Sequence, residues 1–175
     1  MIIITAVGSD RPGMAHAVAA ILADTGCNIE DTTMTRLCGE FAMILIVAPP
    51  PELSAGDLAQ SLAPLEKSHG LFVNCRDIPD EETAQPSDAP RYILSAYGPD
   101  KSGLLAALTA VLAENGVNIT DVQTRVASAG QTYIMILEIE LPSNLRLDLL
   151  ETALAGVAQR IGVQITLHAL EEDYM

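Results

Sequence analysis

The fold is decided by a stretch of sequence that occurs twice in the chain, ninety positions apart. Residues 5–31 read TAVGSDRPGMAHAVAAILADTGCNIED, and residues 95–121 read SAYGPDKSGLLAALTAVLAENGVNITD. The two segments align without a gap and are identical at 12 of 27 positions. A repeat of this length predicts two copies of one small domain, so a site found in one copy must be sought in the other.

The spacing of apolar residues gives the same order of elements in both copies. Each copy reads β-α-β-β-α-β, the split βαβ pattern of the ferredoxin-like fold. The predicted fold class is therefore α+β, with four antiparallel strands and both helices on one face of each sheet. The expected domains are residues 1–77 and 91–175, and an acidic, proline-containing linker is expected at 78–90.

The first helix of each copy has signals at both of its ends. Asp10 and Asp100 stand where an N-cap belongs, and Pro12 suits a first turn. Gly26 and Gly116 follow the last helical residues, where glycine commonly supplies a left-handed conformation.

The strands carry their own local signals. Side-chain parity changes within the second strand, which predicts a β-bulge near Asp31 and Asp121. Residues 38–40 and 128–131 are expected to be hairpin turns, and Ser143 is a plausible cap for the last helix. The strand bounds predicted from the sequence are Ile2–Val7, Cys27–Leu37, Phe41–Ala48 and Leu71–Cys75 in the first copy, and Val117–Ala127, Thr132–Leu141 and Val163–Leu167 in the second.

The central strands are apolar on both faces. Ala42–Val47 and Tyr133–Leu137 contain no polar residue, whereas a sheet with one solvated face should alternate. We expect the second face to be covered by the other repeat or by a partner subunit. A homo-oligomer is the expected form of the protein.

Composition excludes some functions. The net charge is −14 with nine Lys and Arg residues, so the field of the protein repels nucleic acid and we expect no direct binding to it. Cys27, Cys38 and Cys75 are scattered and form no metal-binding spacing, so neither a metal nor a cofactor is expected. The longest apolar stretch, Phe41–Ala48, is too short to span a membrane, and we expect a cytoplasmic protein without a membrane association.

The candidate site is the loop that joins the first strand to the first helix in each copy, residues 8–13 and 98–103. Backbone N–H groups at a helix start carry partial positive charge and can hold a carboxylate. The glycine that closes each loop would let a ligand approach the backbone. Asn28 and Asn118 begin the next strand, where we expect them to lie beside this loop and to offer a donor and an acceptor to a zwitterion.

The same loops have a second interpretation that needs no ligand: the aspartates cap the helices, the glycines relieve tight turns, and Arg11 and Lys101 are solvated. A phosphate loop is not indicated, because Met14 and Leu104 stand where its lysine would be. His16, His69 and His168 lie far apart and show no nucleophile or metal spacing, so no catalytic residue is assigned and the chain is not expected to be an enzyme.

The pattern G-x-D-R-P-G, a helix and then G-C-N-I-E-D resembles an ACT domain, the small regulatory module that binds amino acids. Residues 3–48 most resemble the first ACT domain of the glycine cleavage system transcriptional repressor family. The second copy, with PDKSG in place of SDRPG, carries a more general ACT motif. In ACT proteins the site usually forms between two domains, with one loop facing a neighbour's strand.

The resemblance implies a non-enzymatic regulator that senses glycine or another small amino acid and acts on a regulatory protein partner instead of on DNA. Carried over by position, the implied ligand-binding residues of the first copy are Gly8, Asp10, Arg11, Pro12, Gly13, Met14, Asn28 and Ile29. Those of the second copy are Gly98, Asp100, Lys101, Ser102, Gly103, Leu104, Asn118 and Ile119.

Two other functions stay open at this point. One is a ligand-independent interaction module that works through its apolar strands. The other is a regulatory subunit that acts in trans on an enzyme of amino-acid or one-carbon metabolism, because similar ACT domains regulate such enzymes.

Overall fold

The computed structural model describes residues 1–79, 89–127 and 132–170. The chain divides into two compact units, Met1–Gln85 and Pro86–Met175. The predicted hairpin turn at 128–131 and most of the predicted linker at 78–90 lie outside the described residues. The domain boundaries 1–77, 78–90 and 91–175 therefore stay a prediction.

Both units consist of strands and helices in the predicted order. The first unit contains β1 (Ile2–Ser9), α1 (Met14–Asp24), β2 (Asn28–Leu37), β3 (Glu40–Ala48), α2 (Ala55–Leu62), α3 (Pro64–His69) and β4 (Phe72–Asp77). The second contains β5 (Arg91–Pro99), α4 (Leu104–Glu114), β6 (Asn118–Ala127), β7 (Thr132–Glu140), α5 (Leu147–Ile161) and β8 (Gln164–Ala169).

Each unit has one four-stranded antiparallel sheet. The strand order is β2-β3-β1-β4 in the first unit and β6-β7-β5-β8 in the second. Alternate residues of the two central strands point toward the helices, as Ile2, Ile4 and Leu45 do, and these side chains are fully buried. The predicted α+β fold, two tandem ferredoxin-like units, is confirmed.

Several local predictions are also confirmed. The strand register shifts between Ile29 and Asp31 and again between Ile119 and Asp121, which places a bulge at the same position of both sheets. The β2–β3 turn is made by Cys38 (φ 50°) and Gly39 (φ 85°), and two successive positive φ angles are what a two-residue hairpin turn of type I′ requires.

The first helix ends in the same way in both units. Gly26 has φ 73°, and its N–H donates to the carbonyl of Ala23 while the N–H of Cys27 donates to that of Leu22. The second unit repeats both bonds around Gly116. This is the Schellman motif, so the predicted left-handed glycines are confirmed.

Three predicted helix starts are wrong. Neither Asp10 nor Asp100 is an N-cap, because the first helices begin only after Gly13 and Gly103. Pro12 accordingly precedes α1 instead of lying in its first turn. Ser143 is not a cap either, since the residue before α5 is Arg146.

The second helix of the first unit is split, and Pro64 opens its second part, α3. A capping box that the sequence analysis did not identify begins the first part: the hydroxyl of Ser54 accepts from the N–H of Asp57, and the Asp57 carboxylate accepts from the N–H of Ser54. Strand ends differ from their predicted positions by up to two residues, as at Ser9, where β1 continues past the predicted Val7.

The sheet face turned away from the helices is apolar and open in the single chain. Ile44 is 43% exposed and Ile136 is 40% exposed. Val7 and Tyr97 lie on the same faces, opposite Ala42 and Ile134 in the strand register, and they are exposed as well. The predicted cover for these faces stays a prediction.

Among the described residues, no helix combines the length and the apolar character needed to cross a membrane.

Candidate functional site

The loop between β1 and α1 presents the start of a helix to the surface. Gly13 adopts φ 95° and is the last residue before α1, and its carbonyl accepts from the N–H of Ala17 at 2.8 Å. A β-carbon at Gly13 would meet no atom within 4 Å, so the space in front of this backbone is open. Gly103 has φ 87° and the same open surroundings before α4.

The aspartates of the two loops do not occupy these helix starts. In the part of the chain that the structure describes, no side chain caps α1 or α4. Asp10 instead extends the sheet, because its N–H donates to the carbonyl of Gly39 at 2.8 Å. The Asp10 carboxylate lies 3.3 Å from the guanidinium of Arg36, near the end of β2.

One amide of the first loop already has a partner. The N–H of Arg11 donates to the sulfur of Met14 at 3.2 Å. The Met14 side chain is buried in the core of the first unit, and Leu104 holds the equivalent core position in the second. The side chains of these two residues are therefore not available to a ligand, and the backbone N–H of Met14 donates to the carbonyl of Arg11 at 3.5 Å.

The second loop adjoins a cavity of about 540 Å³. The wall combines the loop, the first turns of α4 and a tyrosine from β7. The lining residues are Lys101, Ser102, Gly103, Leu104, Leu105, Ala106, Thr109 and Tyr133. The Thr109 hydroxyl donates to the carbonyl of Leu105 at 2.9 Å. Lys101 is the cationic side chain among these lining residues and could pair with an anionic ligand.

A second cavity, of about 560 Å³, lies between α5 and β8. It is lined by Glu151, Leu154, Ala155, Ala158, Val163, Gln164, Ile165, Thr166 and Leu167. This wall contains a carboxylate and no cationic side chain, so it suits the carboxylate of an amino acid less well than the loop cavity does.

Gly8 and Gly98 have a packing role that the sequence analysis did not anticipate. A β-carbon at Gly8 would lie 2.3 Å from the carbonyl oxygen of Gly70, and one at Gly98 would lie 2.8 Å from a methyl group of Val163. In both units the close approach of the turn before the last strand is what requires a glycine here.

Asn28 and Asn118 do not lie beside the loop of their own unit, so that expectation is wrong. Asn28 pairs with Ala48 whereas Gly8 pairs with Phe41, seven residues away along β3, which is on the order of 20 Å. Asn28 donates to Glu30 at 2.7 Å, and Asn118 to Glu140 at 3.4 Å. Within a unit, neither these asparagines nor the isoleucines that follow them can contact a small ligand held at the loop.

Tyr133 and Arg36 lie near the candidate loops, and the sequence analysis did not identify them. Their positions relative to the loops follow from strand register, which places Tyr133 opposite Gly98 and Arg36 opposite Phe41. In the described residues, no group of three or more histidine, cysteine, aspartate or glutamate side chains could hold a metal ion.

Two βαββαβ units, each with a glycine-bordered loop before its first helix, define the class of this protein: it belongs to the ACT domain family, whose profile matches residues 1–76 and 91–168.

Individual proteins and solved structures are also similar to this chain. The glycine cleavage system transcriptional repressor of Escherichia coli (strain K12) is 26% identical over 145 residues, which cover 82% of this chain and 74% of the repressor. The crystal structure of an unknown protein from Galdieria sulphuraria is 29% identical, with a TM-score of 0.79 over 97% of this chain and 98% of the other. A crystal structure described as a candidate glycine cleavage system transcriptional repressor shares the fold, with 20% identity and a TM-score of 0.69 over 98% of this chain and 97% of that one.

Proposed function

We propose that this chain is a non-enzymatic, amino-acid-sensing regulatory protein similar to the glycine cleavage system transcriptional repressor. The observation that carries the proposal is the duplicated loop, in which a left-handed glycine precedes a helix and leaves the helix start open to solvent. Such a start attracts an anion, and the carboxylate of an amino acid is small enough to reach it.

The residues of the loops have distinct roles in this proposal. Arg11 or Lys101 pairs with the ligand carboxylate beside the backbone N–H groups. Asn28 and Asn118 take the ammonium group only where another domain presents them, because each lies at the far end of its own sheet. Glycine or another small amino acid is the effector that the similarity to the repressor supports.

The charge of the chain supports action through a partner. A net charge of −14 opposes contact with nucleic acid, whereas the Escherichia coli relative is named a transcriptional repressor. A protein of this charge regulates transcription most simply by binding a second regulatory protein. We propose such a partner, and a homo-oligomer formed through the apolar sheet faces.

A second candidate function rests on those same faces. Ile44 and Ile136 lie on apolar sheet surfaces that are open in the single chain, and an apolar patch of this kind commonly marks a protein interface. A ligand-independent interaction module would use these faces and leave the loops empty. Association that is unchanged by every amino acid, measured by sedimentation and by pull-down, would favour this alternative.

The deciding experiment is isothermal titration of the full chain with each of the twenty amino acids, alongside thermal shift. Gly13→Ala combined with Gly103→Ala should weaken binding, because each new β-carbon projects into the open space before a helix start. The matched control combines Gly26→Ala with Gly116→Ala. These glycines also have positive φ, with only distant proline contacts, but lie at the opposite ends of the same helices.

Both double variants carry a similar backbone strain of about 1 kcal/mol per site, so a difference in affinity reports the site and not the stability. Absence of heat and of thermal shift with all twenty amino acids would remove the proposal. Equal loss of affinity in both double variants would move the site away from the loops.

A further inference from the structure

We infer that the two loops are not equivalent: the second loop takes the effector, and that effector is an amino acid with a bulky apolar side chain and not glycine. This inference rests on the proposed function, because it concerns the same kind of amino-acid site, and it replaces the small effector that the similarity alone supports with a larger ligand. It follows from contacts that differ between two units with the same backbone.

Strand register identifies the positions to compare. Phe41 pairs with Gly8 in the first unit, and Tyr133 pairs with Gly98 in the second. On the next strand, Arg36 pairs with Phe41, and Val126 pairs with Tyr133. Arg36 and Val126 are therefore equivalent, and so are Phe41 and Tyr133.

The first loop is engaged by groups of its own unit. Arg36 lies within 3.3 Å of the Asp10 carboxylate, so the guanidinium that could hold a ligand carboxylate already has one. The N–H of Arg11 is directed to the sulfur of Met14. Phe41 is only 3% exposed and belongs to the core.

Among the residues that the structure describes, those that make these contacts in the first unit have different counterparts beside the second loop. Valine at 126 is too short and too apolar to pair with Asp100, and leucine at 104 has no sulfur to accept from the backbone. Tyr133 is partly exposed and forms part of the cavity wall instead of belonging fully to the core. The volume of about 540 Å³ falls in the range of small-molecule sites.

The chemistry of this wall selects the ligand. Lys101 supplies a cation, whereas Leu105 and Ala106 supply apolar surface, and Leu105 is 38% exposed. Glycine has no side chain to bury against that surface. Each buried CH₂ group strengthens binding by roughly fourfold, so leucine or phenylalanine should bind at least about tenfold more tightly than glycine.

The test is titration calorimetry on the full chain with glycine, alanine, leucine and phenylalanine. We expect one site per chain and the order phenylalanine or leucine, then alanine, then glycine. Lys101→Ala should weaken binding about tenfold and Arg11→Ala clearly less, whereas the matched control Arg146→Ala, at a guanidinium that pairs with Asp148 before α5, should leave binding within about twofold of the wild type. Circular dichroism checks that all three variants fold.

An exchange of the diverged pair tests the role of the ion pair separately. Val126→Arg places a guanidinium opposite Tyr133, where it can pair with Asp100 and reach over the loop, and should weaken binding up to about fivefold. Arg36→Val releases Asp10 and should leave the affinity of the main site unchanged.

The outcomes separate the two proposals. Binding of glycine at least as tight as that of leucine, or a loss in Arg11→Ala that Lys101→Ala does not show, overturns this inference and leaves the amino-acid sensor standing. No binding of any amino acid to any variant removes the sensor itself, and this inference with it.

Discussion

Gly8→Ala adds a single methyl group and should nevertheless destabilise the first unit, because the space beside Gly8 is already occupied. The new β-carbon would lie 2.3 Å from the carbonyl oxygen of Gly70 and 3.4 Å from the α-carbon of Leu71. Ordinary contact begins near 3.4 Å, so the turn that ends α3 must retreat by about 1 Å. Leu71 is fully buried beside that turn, and the movement therefore disturbs the core of the first unit.

The magnitude follows from two opposing effects. Overpacking costs about 1–3 kcal/mol, and the upper end applies because the obstructing atom belongs to the backbone and cannot rotate away. Alanine also restricts the unfolded chain, which returns about 0.4–1 kcal/mol. The net loss should be about 2 kcal/mol, enough to lower the melting temperature of a unit of this size by about 8–16 °C.

The assay is urea and thermal unfolding of the full chain, followed by circular dichroism. Gly98→Ala should cost less, since its nearest obstacle, at 2.8 Å, is a methyl group of Val163. Gly156→Ala is the matched control: it lies in α5, its new β-carbon meets nothing within 4 Å, and it should stabilise the protein by about 0.5–1 kcal/mol. A Gly8→Ala protein within about 0.5 kcal/mol of the wild type would refute the close-approach explanation.

Further substitutions test other parts of the structure. Leu45→Ala should lower the free energy of unfolding by about 2–5 kcal/mol in urea titrations, because Leu45 is fully buried in the first core. Ser54→Ala should cost about 1 kcal/mol in the same assay, since it removes the N-cap of α2. The Ser54 hydroxyl and backbone N–H hold the pKa of Asp57 below its ordinary value. The stability that these hydrogen bonds contribute is present above the pKa of the unfolded state and is lost as the pH falls through the pKa of the folded state. Ser54→Ala should therefore make the free energy of unfolding decline less steeply between about pH 5 and pH 2. Burial, and then the neighbouring Cys27, raise the pKa of the Cys75 thiol, so mass spectrometry after brief iodoacetamide treatment should find the exposed Cys38 alkylated roughly tenfold faster than Cys75.

Local sequence signals predicted the framework because they act over short distances. The left-handed glycines at 26 and 116 and the bulges beside Asp31 and Asp121 each arise from a few neighbouring residues. The repeat then doubled every signal, so that one copy supported the assignment of the other. The fold class and the order of the elements could be predicted from the sequence for this reason.

The helix starts could not be predicted from the sequence, because long-range contacts override the capping preference of the aspartates. Asp10 has the right side chain for an N-cap, yet its N–H continues the sheet to Gly39 and its carboxylate lies near Arg36. Both partners come from the β2–β3 hairpin, more than twenty residues away in sequence. A rule that considers only adjacent residues assigns Asp10 to the helix.

The predicted position of the asparagines beside the loops was wrong for a geometric reason. In the sequence, Asn28 stands a short distance after the loop, and motif reasoning placed the two together. In the structure α1 carries the chain from one end of the sheet to the other, and Asn28 therefore begins β2 beside Ala48. The helix between the loop and Asn28 separates them by the length of the sheet, and the sequence motif does not show this distance.

The duplicated motif cannot by itself rank the two loops, because the residues that distinguish them lie outside it. The glycines and aspartates that define the motif are the same in both copies, whereas the residues that differ beside the loops lie on later strands: Arg36 and Phe41 in one unit, Val126 and Tyr133 in the other. Arg36 and Val126 are ninety positions apart, as the repeat is, but Phe41 and Tyr133 are ninety-two positions apart and are shown to be equivalent only by the strand register. Two connecting residues separate β2 from β3 and four separate β6 from β7, so a constant shift of ninety positions would match Tyr133 with Met43. A comparison of the two loops therefore depends on the strand pairing, because an ungapped alignment of the repeats compares the wrong side chains of β3 and β7.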